Sequence, residues 1–538
     1  MRYPTGVRRA VALALALGCV ATGCGSGAAG GGRDGRITYA VDSQPDCMDP
    51  QISPYDITAA LSRNVFDSLV TMDARGQIGP WLATSWTISG DGRTYTFRLR
   101  EGVRFHDGTP FTATAVKATL DHTVAPETKS QYAAGLISMY ESATVVDDHT
   151  VKVRLSRPYT PLLQVLSTAT FGIQSPAALR TNRGKTCLHP VGSGPFVFAG
   201  WARNRRIDLD RNPDYAWAPK GAGHRGPAHV AGLTVEFIPE SASRFGALSS
   251  GQIDIAAAVP PSHISRLRQA DGFRFLRAPQ PGAPYTLLLN PYRAPLDDRR
   301  VRQALQHAVR LDDLVKALYS GQYDRAWSVL TPATAAYDAK AEGSWPYDAE
   351  TAARLLDSAG WTGRDEAGYR TKDGKRLTLH WPYMNGLMRD QRALVGQGIQ
   401  AEAKRAGIEI RFTALEPGAY LEKAIGRDAD ILAFSWNRAE PDIMRSYFAS
   451  DQTAKQGGSN AFGVKNAQLD GWLHEASATR DRERRDALYA KAQALVNSEA
   501  LALPVYAPAT LLGAAERVRG VTFDVQAYPR FYDARLEE

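Results

Sequence analysis

The sequence predicts an α/β fold. The first half of the chain is rich in stretches whose apolar residues alternate, the period of a strand with one buried face. From Pro295 onward, segments with apolar residues at helical spacing alternate with short apolar runs of the kind found in strands buried on both faces. The 538 residues are 44% hydrophobic and 22% charged, enough apolar material for large cores in roughly three to four domain-sized units. This composition excludes a mainly disordered chain. A polytopic membrane protein is excluded too. Only Ala10 to Val20 is continuously apolar, and it falls short of the about 20 residues a spanning helix needs. No repeat of 20 to 50 residues runs through the chain.

The first element is an export signal. Arg2, Arg8 and Arg9 form a basic start, and Val11 to Leu17 an apolar centre. Val20-Ala-Thr-Gly-Cys24 resembles a bacterial lipoprotein box, with Ala21 where Leu is commoner. Residues 1–23 are therefore expected to be removed and Cys24 lipidated, giving an extracytoplasmic protein held at the outer face of the cell membrane. Export by the general secretory route is the default, and Arg8-Arg9 leaves the twin-arginine route open. Cleavage before Cys24 discards Cys19 and leaves Cys47 and Cys187, an even pair suited to a disulfide or to two buried thiols. Cleavage also removes three arginines and no acid, so the formal charge drops from +8 to +5. A surplus of that size on an exported protein concerns solubility, and no nucleic-acid partner is expected. Residues 24–33 form a Gly-rich tether. Its chance G-x-G-x-x-G at Gly25, Gly27 and Gly30 has no strand before it and no helix after it, so it is not read as a dinucleotide site.

The next elements follow in order. Ile37, Tyr39 and Val41 alternate as a half-buried strand, followed by a loop from Asp42 to Pro54. Trp86 to Ile88 and Tyr95 to Leu99 flank the turn Ser89-Gly-Asp-Gly-Arg93, a hairpin signal. His106-Asp107-Gly108 reads as turn chemistry, because no second ligand stands at metal spacing around His106. Asp297 or Asp298 caps a helix carrying Val301, Ala304, Leu305, Ala308 and Val309 on one face. Asp312 opens the next helix, with Gly321 beyond its end. Further helices are expected over Asp348–Gly360, Arg389–Gly407 and Arg482–Ser498. Strands are expected at Ile408–Phe412 and, buried on both faces, at Ala429–Trp436, with extended chain at Pro504–Leu512.

Several segments together resemble the family 5 extracellular solute-binding proteins, receptors of ABC importers for oligopeptides, dipeptides, nickel chelates and some sugars. They are Leu82-Ala-Thr-Ser-Trp86 running on to His106-Asp-Gly108, Pro190-Val-Gly-Ser-Gly-Pro-Phe196, Phe237-Ile-Pro to Leu248-Ser-Ser-Gly-Gln-Ile-Asp-Ile255, and Leu296-Asp-Asp-Arg-Arg-Val-Arg-Gln-Ala304. The resemblance spans essentially the whole mature chain. It implies an α/β, two-lobed periplasmic-binding-protein-like fold of class II, cluster C type, with an extra subdomain inserted in the first lobe. Lobe I would comprise residues 34–53, 190–285 and 508–538, the insert 54–189, and lobe II 286–507. Cys47 and Cys187 would then lie at the two junctions between lobe I and the insert, a place for a disulfide staple.

The resemblance also implies a ligand crevice between the lobes, closing to exclude water. Trp436, at the end of the Ala429 run, is expected to face it. In peptide-binding members an Asp just after this strand pairs with the ligand amine. Here the segment is Trp436-Asn437-Arg438-Ala439-Glu440-Pro441-Asp442, and no Asp follows the Trp directly. Asp442 has two readings, amine anchor or helix N-cap. Arg438 favours a carboxylate, a phosphate or another oxygen-rich group. By topology Gln44, Pro45, Tyr285, Met384 and Asn385 join the candidate ligand-binding residues.

No enzyme signature competes: the chain has no G-x-S-x-G elbow, no P-loop and no C-x-x-C, and His474-Glu475 lacks the second His of a zinc-protease motif. The expected function is that of a lipid-anchored, monomeric receptor that delivers a small solute, most readily a short peptide, to ABC permease subunits. No metal and no cofactor are expected. A non-peptide solute (a sugar, an opine-like conjugate or a metal chelate) is the alternative within the class, and an extracytoplasmic hydrolase or chaperone the alternative outside it.

Overall fold

A computed structural model describes residues 35–73, 75–181, 184–456 and 458–537. The signal, Cys24 and the tether lie outside the described residues. Among those described, no helix is long and apolar enough to cross a membrane.

The first core is built on a seven-stranded sheet, in the spatial order Phe273–Pro279, Ala509–Ala515, Ile255–Ala257, Arg36–Val41, Gly232–Phe237, Arg206–Arg211 and Phe196–Ala202. Arg36–Val41 is central and runs parallel to both of its neighbours. The half-buried strand expected there is therefore corrected: Ala40, on the face opposite Ile37, Tyr39 and Val41, is fully buried as well. A second, antiparallel sheet of Ala83–Ile88, Thr94–Leu99, Thr150–Leu155 and Tyr140–Asp147 contains the expected hairpin, and helix Ala113–Val124 packs on it. Ile37 and Leu209 of the first sheet share one continuous hydrophobic cluster with Phe97 and Val151 of this one. The insert is thus fused to the first sheet by burial and not merely tethered to it. A Cys47–Cys187 disulfide joins them covalently, and the Met48 N–H donates to the Cys187 carbonyl at 3.0 Å.

A separate core surrounds a four-stranded sheet ordered Asp324–Arg325, Ala502–Ala507, Gly282–Leu289 and Ile431–Asn437. The parallel pair Thr378–Met384 and Glu409–Leu415 continues it through the Asp430 N–H, which donates to His380 O at 3.0 Å. Helices cover it as their caps dictate. The Asp298 carboxylate accepts from the Arg300 N–H ahead of Arg299–Ala308, and Asp348 accepts from Thr351 ahead of Ala349–Ser358. Two helix starts differ from expectation. Leu311–Tyr319 begins one residue before Asp312, which lies in its first turn, where its negative charge suits the helix dipole. The helix expected from Arg389 begins only at Arg392, because Asp390 and Gln391 hold left-handed φ of 55° and 59°.

The chain passes between the two large sheets twice. Gln280-Pro281 separates Phe273–Pro279 from Gly282–Leu289, and Pro508 separates Ala502–Ala507 from Ala509–Ala515. Residues 282–285 thus pair in the second sheet, four residues earlier than the expected division at 285/286. The crossings lie side by side: the Gln280 N–H donates to Pro508 O at 3.0 Å, and Thr331 Oγ1 donates to Gln280 O at 2.8 Å. Two adjacent one- or two-residue connections are the geometry of a hinge.

Candidate functional site

Strand Ile431–Asn437 starts deep, with Ile431 and Leu432 buried, and becomes half-buried from Ala433 to Trp436. The expectation of burial on both faces holds only for its beginning. Its end reaches the hinge: Asn437 lies opposite Gly282 in the ladder, and the Arg438 N–H donates to Pro281 O at 3.3 Å. Gly282 has φ +102°, and a Cβ there would collide with the carbonyl of Trp436 and the amide of Arg438. A glycine is therefore what allows the hinge strand and the Trp436 strand to touch.

From the insert, Tyr132 meets Trp436 with ring centroids 5.1 Å apart. Asn437 and Gln526, the latter on the C-terminal segment that follows the first sheet, exchange two bonds: Asn437 Nδ2 to Gln526 O at 2.6 Å and Gln526 Nε2 to Asn437 O at 3.1 Å. These contacts enclose a small pocket lined by Tyr132, Val165, Thr168, Thr170, Arg438, Glu440 and Gln526 among others, with room for about one water. The Tyr132–Trp436 and Asn437–Gln526 contacts thus join the end of this strand to the insert and to the C-terminal segment.

The Arg438 guanidinium does not face this pocket alone. It forms an ion pair with Glu440, and Nη1 donates to Ser446 Oγ at 3.2 Å. Sequence reasoning passed over Glu440, because a charge two residues on shows no pairing until the backbone turns. Asp442 is fully buried, and its carboxylate accepts from Arg445 Nε and Nη2, from the Tyr159 hydroxyl at 3.2 Å and from the Tyr489 hydroxyl at 3.3 Å. It stands at the N-cap position of Ile443–Phe448 but makes no cap bond with its side chain.

A second group gathers on the same lobe. The Arg392 guanidinium lies 4.7 Å over the Tyr285 ring, with Nε donating to Tyr506 OH at 3.3 Å and Nη2 to Ser435 Oγ at 2.5 Å. Burial alone would lower the Arg392 pKa, but Tyr506 and Asp390 hold it above its ordinary value. The Tyr285 hydroxyl is buried with no hydrogen-bond partner among the described residues, and burial pushes its pKa up. Arg389 reaches Asp56 of the insert at 3.3 Å, and Asp56 also accepts from the Tyr528 hydroxyl at 2.9 Å.

The structure thus brings Arg438 to the pocket wall, sets Trp436 and Asn437 against the lining residues Tyr132 and Gln526, and places Tyr285 beside Arg392. The other candidates are elsewhere. The Gln44 side chain is spent on Asn204, accepting from its N–H at 2.9 Å, and Pro45 is buried next to it. Met384 ends its strand half-buried, and Asn385 is exposed in the turn that follows. Tyr132 and Gln526 carried no signal in the sequence, since neither belongs to a periodic pattern and each acquires its role only through tertiary contact.

Two lobes, paired crossings and an enclosed pocket between them define the class: a two-lobed α/β receptor for a small solute. The model of bacterial extracellular solute-binding proteins, family 5 (middle region), matches residues 77–458. This chain belongs to that family, the solute-binding receptors of ABC importers. It is similar to the glutathione-binding protein GsiB of Escherichia coli K12, 26% identical over 510 residues that cover 93% of this chain and 94% of that protein. Among solved structures it is similar to NikA from Brucella suis in complex with Fe(III)-EDTA, with a TM-score of 0.82 and 25% identity over 93% of this chain and 100% of that one. It is also similar to DppA from Helicobacter pylori in complex with the peptide STSA, with a TM-score of 0.77 and 26% identity over 93% and 98%.

Proposed function

We propose that this protein is a lipid-anchored extracytoplasmic receptor that captures a short peptide between its lobes and hands it to an ABC importer permease. Cys24 carries the anchor, and the lobes divide at the crossings 280–281 and 508, the first of them four residues before the division the resemblance implies. The observation that carries the reading is the Tyr132–Trp436 aromatic contact, which joins the insert to the second lobe beside the Arg438–Glu440 pocket. Such a contact has to open for a solute to enter and can re-form over it. The names of the similar proteins support a peptide: one binds glutathione and another was solved with STSA. The ligand-binding residues of this reading are Trp436, Asn437, Arg438 and Tyr285, joined by Tyr132, Glu440 and Gln526. Gln44, Pro45, Met384, Asn385 and Asp442 are not carried into it.

A metal chelate is the second reading. It is favoured by the Fe(III)-EDTA complex of NikA and by Arg389 and Arg392 on the second lobe, whose guanidinia suit a polycarboxylate. Titration calorimetry of the mature protein against glutathione, alanyl-alanine, a tetrapeptide and Fe(III)-EDTA separates them. Saturable binding of a peptide without turnover is expected. Binding of the chelate alone transfers the assignment to the second reading, and hydrolysis of any peptide overturns the receptor role.

A further inference from the structure

The Arg438–Glu440 pair is nearly inaccessible, with side chains 5% and 3% exposed, and both residues line the interlobe pocket. Neither Glu440 oxygen has a hydrogen-bond partner beyond that ion pair among the described residues, and Gln526 Oε1 and Asn437 Oδ1 are likewise buried and unpaired. The neighbouring buried pair, Asp442 with Arg445, is different: two tyrosine hydroxyls complete the acid. The Asp442 carboxylate is completed by the protein, whereas the Glu440 carboxylate has no acceptor bond beyond Arg438 and lies beside a cavity. Buried polar groups are rarely left so unless something else satisfies them.

We propose that the Arg438–Glu440 pair selects ligands carrying an α-amino-acid zwitterion. This rests on the peptide reading above. A ligand ammonium would donate to Glu440 and to the unpaired Oε1 of Gln526, while the adjacent ligand carboxylate accepts from Arg438. The pair is neutral as it stands, and a zwitterion leaves the buried charge balanced. A ligand offering only one sign leaves one protein charge opposed by nothing, which is the costly arrangement in a desolvated site. Because Arg438 and Glu440 touch, the two ligand charges have to lie as close together as those on one amino-acid α-carbon. The termini of an ordinary dipeptide stand further apart, whereas a γ-glutamyl group presents both charges together.

The test compares reduced glutathione, its N-acetyl derivative and its α-carboxamide by titration calorimetry, with alanyl-alanine alongside. The wild-type protein is expected to bind glutathione at least tenfold more tightly than either derivative. Glu440→Gln should lose the distinction between glutathione and the N-acetyl form, and Arg438→Gln the distinction between glutathione and the carboxamide. Melting curves confirm that each variant is folded, and the wild-type comparison stands if one is not. Equal affinity for all three glutathione forms overturns the inference and leaves the receptor standing. Binding of alanyl-alanine in preference to glutathione does the same. Failure of every peptide to bind overturns the proposed function and this inference with it.

Discussion

Tyr132 and Trp436 meet with ring centroids 5.1 Å apart and planes tilted by 35°, although one belongs to the insert and the other to the second lobe. Aromatic pairs of this kind contribute about 0.5–1.5 kcal/mol beyond their buried area, so the contact biases the lobes toward closure while leaving opening accessible. Trp436→Ala removes the contact with Tyr132, which lines the pocket proposed for the ligand. It is expected to weaken binding of glutathione, or of the tightest peptide found, by at least tenfold, roughly 1.4 kcal/mol. The melting transition should survive. Titration calorimetry reads the loss, and unchanged affinity removes Trp436 from the site.

Gly282→Ala should be far more damaging than its size suggests. The backbone there has φ +102°, and the added methyl would meet the Trp436 carbonyl and the Arg438 amide. A loss of at least about 2 kcal/mol of stability is expected from the strain and overlap together. Gly200→Ala supplies the control: no atom lies within 4 Å of its added Cβ and its φ is not positive, so a change within about 0.5 kcal/mol is expected. Urea melts of the two variants side by side decide it.

These positions mark what the sequence discloses and what it conceals. Asp298, Asp348 and helix Arg482–Ser498 were legible because capping chemistry and helical periodicity are local. The splitting of Pro504–Leu512 between two sheets could be read only from the family resemblance, which divides the lobes at 507/508, since extended chain looks the same on either side of Pro508. The delayed helix start at Arg392 was hidden as well, because Asp390 and Gln391 tolerate helix and are held left-handed by their surroundings. Trp436 was legible as the end of an apolar strand. Glu440, Tyr132 and Gln526 were not, because their chemistry arises from three chain segments meeting.

Removing the Cys47–Cys187 bridge should destabilise the insert against the first sheet. The bridge closes a loop with a sequence separation of 140 residues, which restricts the unfolded chain strongly. Cys47→Ser combined with Cys187→Ser is expected to cost about 2–4 kcal/mol, read from denaturant melts with and without reductant. A reductant-insensitive wild-type melt would deny the bridge its structural role.

Stability should fall in acid through Asp49. Burial alone would raise this carboxyl, but the His122 hydrogen bond and charge, with Thr186 and Gln174, bring it below the ordinary carboxylate range. His122 Nε2 stands 2.9 Å from Asp49 Oδ2 and Gln174 Nε2 donates to Oδ1 at 2.9 Å. A folded-state pKa depressed below the unfolded one contributes stability that is fully present above the unfolded value, about 3.9, and is lost as the pH drops through the folded value. Asp49→Asn should therefore be less stable than the wild type at neutral pH and approach it below about pH 4. Urea midpoints measured from pH 7 to pH 3 test the convergence, and parallel curves would refute it.

The Arg389–Asp56 bridge sets the last expectation by its modest size. It joins the second lobe to the insert at 3.3 Å, but the Arg389 side chain is 51% exposed and that of Asp56 36%. Solvent-screened pairs contribute about 0–1 kcal/mol, so Arg389→Ala should weaken ligand binding by no more than about fivefold, less than Trp436→Ala. Its effect should also shrink as salt is raised from about 0.05 to about 0.5 M, whereas the loss at Trp436 should not, because an aromatic contact is not screened. Small-angle scattering of ligand-free Arg389→Ala should show a larger radius of gyration than the wild type as the lobes part. A salt-independent loss equal to that of Trp436→Ala would instead place the Arg389 guanidinium on the ligand itself.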